Sequence, residues 1–204
     1  MQSTTTVPRL VFLCSGHMID KPDRHAPRFP PECEGRIASE LAARLDALGA
    51  GSDDLAMTQG ACGADLLFAE AMLERGAALQ LYLPLDEEIF IARSVAFTKS
   101  TSSVPDRWRE RFAAVRTHPS TRVKMAADHD AAASDNVFER CNAWMLDQAL
   151  AFGAGKVRFL CVWNGEGGDG PGGTDHMRQA VKQRGGAEFW IDTRKVCGPL
   201  PPRG

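Results

Sequence analysis

The feature that most restricts this chain is a rhythm. Short apolar runs, each ended by glycine or another small residue, alternate with amphipathic stretches of helical period. Strands are predicted over 10–14, 55–58, 79–83, 157–163 and 188–191, and helices over 32–48, 64–75, 136–152 and 174–184. Repeated β–α–β units of this kind assemble into a mostly parallel sheet between two layers of helices. The run 157–163 is apolar without alternation, as a central strand covered on both faces requires. Gly49 and Gly76 directly follow helices, where a glycine ends the helix cheaply. The middle is irregular: a short helix over 86–95, a Ser/Thr-rich loop over 99–105, a helix over 106–115, a short strand over 121–125 and a loop over 128–135. Ser134 or Asp135 is placed to cap the helix that follows. The expectation is one α/β domain over 1–204, three-layered and Rossmann-like, with a Pro-rich tail from about 198 and no internal repeat.

Composition narrows the function classes. A fold of 204 residues buries roughly 70% of the surface its unfolded chain exposes, and 44% apolar with 25% charged residues is an ordinary globular balance. A formal net charge of −2 argues against a broad nucleic-acid footprint, which needs clustered Lys and Arg in excess. No run approaches the roughly 20 apolar residues of a membrane span, and the N-terminus shows no secretory pattern, so no membrane partner is expected. The six cysteines form no CxxC pair, and Cys14 and Cys161 fall inside apolar runs. They read as buried thiols of a cytoplasmic protein, with no metal site. Cys62 stands apart because its neighbours are glycine-rich.

Three strand ends run into small-residue turns: Ser15-Gly16-His17, Gly60-Ala61-Cys62-Gly63, and the glycine-rich stretch from Asn164 to Gly172-Gly173-Thr174. In open parallel sheets ligands sit beyond the carboxyl ends of the strands. Glycine admits close approach of backbone, and a following helix offers unpaired N–H groups and a positive dipole end. The turns therefore predict an anion cradle for a nucleotide or nucleotide-derived ligand. Asp65 falls in the first turn of a helix, where a carboxylate also serves the dipole. His17 is suited to phosphate binding or proton transfer. Thr174 is placed to cap its helix and to face the same ligand. Trp144, Met145, Leu146 and Leu150 read as core, and Asn142 is the odd polar member of their helix.

The order of these features resembles the SLOG superfamily, the Rossmann-like group that includes the lonely-guy (LOG) phosphoribohydrolases and DNA-processing protein A. The stretch 57–84 (MTQGACGADLLFAEAMLERGAALQLYLP) is similar to the LOG segment in which a strand meets a GGxxGxM-type turn, a helix, a glycine and a strand ending in proline. Phe138-Glu139-Arg140-Cys141-Asn142-Ala143-Trp144-Met145, then an apolar strand, then Gly-Gly-Thr, resembles the RN-x-W and GGT signatures of smaller members. Residues 12–16 resemble the first strand and turn, and 95–135 are unmatched. The resemblance implies nucleotide binding, adds Arg140 to the candidate ligand residues, and implies a homodimer. LOG enzymes carry PGGxGTxxE with a catalytic glutamate, whereas this chain has Pro171-Gly172-Gly173-Thr174-Asp175-His176-Met177. Their catalytic Arg-Lys pair has no clear counterpart, with Arg93 and Arg140 as candidates.

Two functions follow. A sensor or regulatory module that recognises a nucleotide needs the turns and no catalytic carboxylate. A hydrolase that cleaves the N-glycosidic bond of a nucleoside monophosphate needs a carboxylate against the developing oxocarbenium ion. Its candidates are Glu87 and Glu88, with Asp65, Glu70, Glu166 and Asp169 behind them.

Overall fold

A computed structural model describes residues 7–22, 24–96, 107–126, 137–166 and 173–198. Six strands form one all-parallel sheet: β1 (Val11–Gly16), β2 (Leu55–Thr58), β3 (Ala78–Leu83), β4 (Thr121–Met125), β5 (Val157–Trp163) and β6 (Ala187–Asp192). Their spatial order is β4-β3-β2-β1-β5-β6. The helices are α1 (Glu34–Ala47), α2 (Ala64–Glu74), α3 (Glu87–Phe90), α4 (Arg107–Thr117), α5 (Val137–Leu150), α6 (Thr174–Gln183) and α7 (Thr193–Cys197). The three-layer α/β architecture anticipated from the apolar rhythm is the one observed.

Alternation along the strands builds two cores. Phe12, Cys14, Ala56, Leu79, Leu81, Leu160 and Val162 face one way, against residues of α1, α2, α4 and α7. Val11, Leu13, Met57, Tyr82, Phe159 and Cys161 face the other, against Cys141, Met145, Leu146 and Met177 of α5 and α6. Met145 and Leu146 are core residues, as read from the helical period, and Trp144 packs edge-on to Tyr82 at 4.7 Å between ring centroids. The edge strand β4 presents exposed Arg122 and Lys124, charges that discourage pairing with another chain.

Strand order reverses at β1. The chain steps outward from β1 to β4, then crosses over through α5 on the other face to β5, beside β1. Such a reversal leaves a crevice at the carboxyl ends of the two central strands. Two local readings are corrected. The helix α7 has no counterpart among the helices expected from the sequence; it forms because Asp192 Oδ1 accepts the Arg194 amide at 3.0 Å and Cys197 is buried. The segment 86–95 is a short helix followed by a π-helical turn, Ile91–Val95. The loops expected over 99–105 and 128–135 lie outside the described residues, as do Gly172 and Asp169.

Candidate functional site

At the reversal of strand order lies a cleft of about 340 Å³. Its walls are built by Cys14, Ser15, Gly16, His17 and Met18 after β1, Gln59 and Ala61 after β2, Asp65 of α2, and Trp163 ending β5. Arg28 reaches it from the segment before α1, Arg93 and Ser94 from the π-helical turn, Phe138 and Asn142 from α5, and Gly173 and Thr174 from the start of α6. The sequence candidates Ser15, Gly16, His17, Asp65, Asn142, Gly173 and Thr174 thus come together on one rim.

Two of the glycine-rich turns are closed by protein. A Cβ on Gly16 would lie 2.6 Å from Ala64 Cβ and 2.7 Å from the Val162 carbonyl, so its smallness lets β1, α2 and β5 meet. Gly63 has φ +95, and a Cβ there would lie 2.6 Å from the Ile19 amide nitrogen. The amides that the turn after β2 would offer an anion already have partners. The Cys62 amide donates to the Ser94 carbonyl at 2.9 Å, the Ala64 amide to the His17 carbonyl at 3.2 Å, and the Ala61 amide to Asp65 Oδ2 at 3.3 Å. The acidic occupant of that turn is the chain's own carboxylate. Gly60, Cys62 and Gly63 accordingly stand behind the wall; Gly60 faces Leu81 and Phe112, and Cys62 is fully buried.

Other candidates separate in the same way. Asn164 is buried and holds His17: its Oδ1 is 3.0 Å from Nε2, and its amide nitrogen is 3.2 Å from the same atom. One tautomer donates to the side chain and the other accepts from the backbone, so both fix the ring across the ends of β1 and β5. Arg140 is exposed on α5 and does not line the cleft. Glu87 pairs with Arg116 at 2.6 Å, Glu88 is exposed, Glu70 pairs with Arg111, and Glu166 pairs with Arg194 at 3.5 Å. None of these four carboxylates lines the cleft, because their helices and loop direct them to ion pairs or solvent. Thr174 is the first helical residue of α6 and Gly173 holds the cap position, with no side-chain cap bond, so the expected threonine cap is not formed.

Asp65 is the carboxylate among the lining residues. Burial pushes its carboxyl up to about 6, and hydrogen bonds from the turn, led by the Ala61 amide, hold it from rising further. Beside it Gln59 Nε2 donates to Asn142 Oδ1 at 2.7 Å, which ties the end of β2 to α5. The Arg93 guanidinium lies over the Phe138 ring at 5.7 Å. Asp20 accepts the Arg28 and Phe29 amides at 2.8 and 3.0 Å and fixes the backbone that carries Arg28.

Sequence reading did not single out Gln59, Arg28, Ser94 or Trp163. Gln59 and Trp163 carried a usable signal, since each ends or directly follows a strand at the carboxyl edge. Arg28 and Ser94 carried none, because long-range folding of irregular segments brings them in. Among the described residues no group of three or more His, Cys, Asp or Glu is placed to hold a metal, and no helix is long and apolar enough to cross a membrane.

No family model and no curated protein sequence matches the chain. Among solved structures it is similar to DNA processing protein A from Streptococcus pneumoniae, at 9% identity and a TM-score of 0.39 over 93% of this chain. The match spans 61% of that chain's length.

Proposed function

We propose that this chain binds a nucleotide or nucleotide-derived ligand in the cleft between the ends of β1 and β5, as a sensor or regulatory module. One observation carries the reading. Two guanidiniums, Arg28 and Arg93, and the start of α6 converge on the cleft at the reversal of strand order. Guanidinium groups match phosphate oxygens bidentately, and helix starts favour anions. Membership of the SLOG superfamily belongs to the same proposal, supported by the three small-residue turns in their order.

Calorimetric titration with nucleoside mono-, di- and triphosphates tests it. At least one is expected to bind, and the double variant Arg28→Ala/Arg93→Ala to bind it at least about tenfold more weakly, since each charge-assisted bond contributes about 1.5–3 kcal/mol. No heat with any member of the panel would overturn the reading.

A second reading has Asp65 in its favour. A carboxyl at about 6 in a ligand cleft has a proton affinity suited to transfer near neutral pH. If the chain cleaves an N-glycosidic bond, Asp65 is the acting carboxylate, and Glu87 and Glu88 are not. Incubation with nucleoside monophosphates should then release free base, and Asp65→Asn should stop the release.

A further inference from the structure

The two edge strands of the sheet differ. β4 carries the exposed Arg122 and Lys124, whereas β6 reads Ala-Glu-Phe-Trp-Ile-Asp, with no lysine, arginine or proline along it. Trp190 of β6 is 39% exposed, and Glu188 is turned onto Arg178 of α6 at 3.3 Å. No described residue pairs with the backbone on the far side of β6. A strand left open in this way keeps unpaired N–H and C=O groups that a further strand can fill. Beside it lies a second cleft, of about 740 Å³, walled by α1, the last three residues of β6 and α7. Arg36 and Arg44 of α1 and Lys195 of α7 stand exposed along it. The carboxylates of this cleft are already engaged, Glu40 by Arg44 at 2.9 Å and Asp192 by Arg194 at 3.3 Å. Arg36 donates to the Cys33 sulfur at 3.5 Å, and among the described residues neither it nor Lys195 forms a salt bridge.

We propose that this edge is a docking site for an extended acidic segment of a partner protein, which adds to β6 as a seventh strand. Main-chain bonds to the open side of β6 give the affinity, and alternate side chains give the specificity. Ile191 faces the core beneath α1, while Trp190 meets Trp163 on the opposite face, at 5.9 Å between ring centroids. Successive residues of an added strand alternate in the same way. Those on the α1 side come to Arg36, Arg44 and Lys195 and are acidic. Those on the other side pack beside Trp190 and are apolar. A Cβ on Gly35, in the first turn of α1, would meet nothing within 4 Å, so this wall leaves room for the incoming chain. Arg36 and Lys195 favour an acidic strand and repel a basic one. A second copy of β6 brings only Glu188 and Asp192, each held by an arginine of its own chain, and so leaves both cations unmatched. This cleft shares no lining residue with the one between β1 and β5, and the proposal does not depend on what binds there.

Selection of phage-displayed random peptides, about nine residues long, on the full chain tests the surface. Enriched peptides should carry Asp or Glu at alternate positions with apolar residues between them. The strongest, synthesised and followed by fluorescence anisotropy, should bind Arg36→Glu/Lys195→Glu at least about tenfold more weakly than the natural chain. It should bind Arg122→Glu/Lys124→Glu, on the other edge, as well as it binds the natural chain. Two forms of the peptide, N-methylated on one or the other set of alternate amides, probe the strand itself on the unaltered chain. One should lose binding by about tenfold or more and the other keep it, since only one set of amides faces β6. That comparison needs no variant, so it decides the matter even if a charge reversal disturbs folding. No enrichment, enriched peptides without the acidic alternation, undiminished binding to Arg36→Glu/Lys195→Glu, or equal binding of the two N-methylated forms overturns the proposal. So does an oligothymidylate that binds this surface more tightly than the peptide, which would assign it to nucleic acid. Self-association in sedimentation that Arg36→Glu/Lys195→Glu abolishes would assign it to a second copy and overturn the proposal equally.

Discussion

Asp65 sits in the first turn of α2 at a depth where ionisation is disfavoured, and this has a consequence for stability. Its carboxyl titrates at about 6 in the folded chain, against an ordinary value of 3.8. Between these values the folded state holds a proton that the unfolded state has released. Stability from this group is therefore complete below about pH 4 and is lost as pH rises through 6. Asparagine keeps an acceptor for the Ala61 amide and cannot ionise. Asp65→Asn should gain on the natural chain by about 1–3 kcal/mol between pH 4 and pH 7.5, read as the change in their difference in urea unfolding. Asp20, also pushed up by burial, is present in both proteins and cancels in that difference. A difference that stays constant with pH would mean that Asp65 is solvated. At this scale the sequence was legible in kind and ambiguous in role. The Gly16 and Gly63 positions were visible as small residues at strand ends. That they admit neighbouring protein instead of ligand depends on Ala64, Val162 and Ile19, which only the folded sheet brings near.

Elements with strong periodicity were the readable ones. The strands β2 and β5 have the bounds expected from their apolar runs, β4 has those expected for a short strand in the irregular middle, and α2 and α6 begin where glycines precede them. The short α7 was not readable, because a single turn gains little from propensity and forms here by packing against α1. Contacts between elements were invisible too, and α4 shows this. Its Arg111 bonds Glu70 of α2 and Glu34 of α1, and lies 4.3 Å from the centre of the Trp108 ring. Three helices are thus joined at one partly buried guanidinium. Replacing it with methionine keeps the apolar stem and removes the fork. Arg111→Met should cost about 1–2 kcal/mol in denaturant unfolding, a discounted figure because the group is partly solvated. Hydrogen exchange should quicken in α4 and β4 before it does in β1 or β5. An unchanged exchange pattern would mean that apolar packing alone holds α4 on the sheet.

For the molecule as a whole, the six cysteines act as built-in reporters, since every one is buried as a free thiol. Cys14, Cys33, Cys62 and Cys197 belong to one core, and Cys141 and Cys161 to the other. Burial raises the Cys141 and Cys197 thiols to about 12 and pushes Cys14 and Cys161 up as well. Little thiolate therefore forms at these four positions at pH 8, and it is the thiolate that attacks an aromatic disulfide reagent. The folded chain should react negligibly over minutes. As denaturant is added the thiols of both cores should become reactive with one rate, because both cores share the same six-stranded sheet and neither is complete without it. Cys33 precedes α1 and Cys197 ends α7, so they are the sensitive pair: faster labelling of these two would show α7 opening alone. Faster labelling of Cys141 and Cys161 together would show that the α5–α6 layer parts from the sheet, and the molecule would then be two cooperative units sharing strands instead of one.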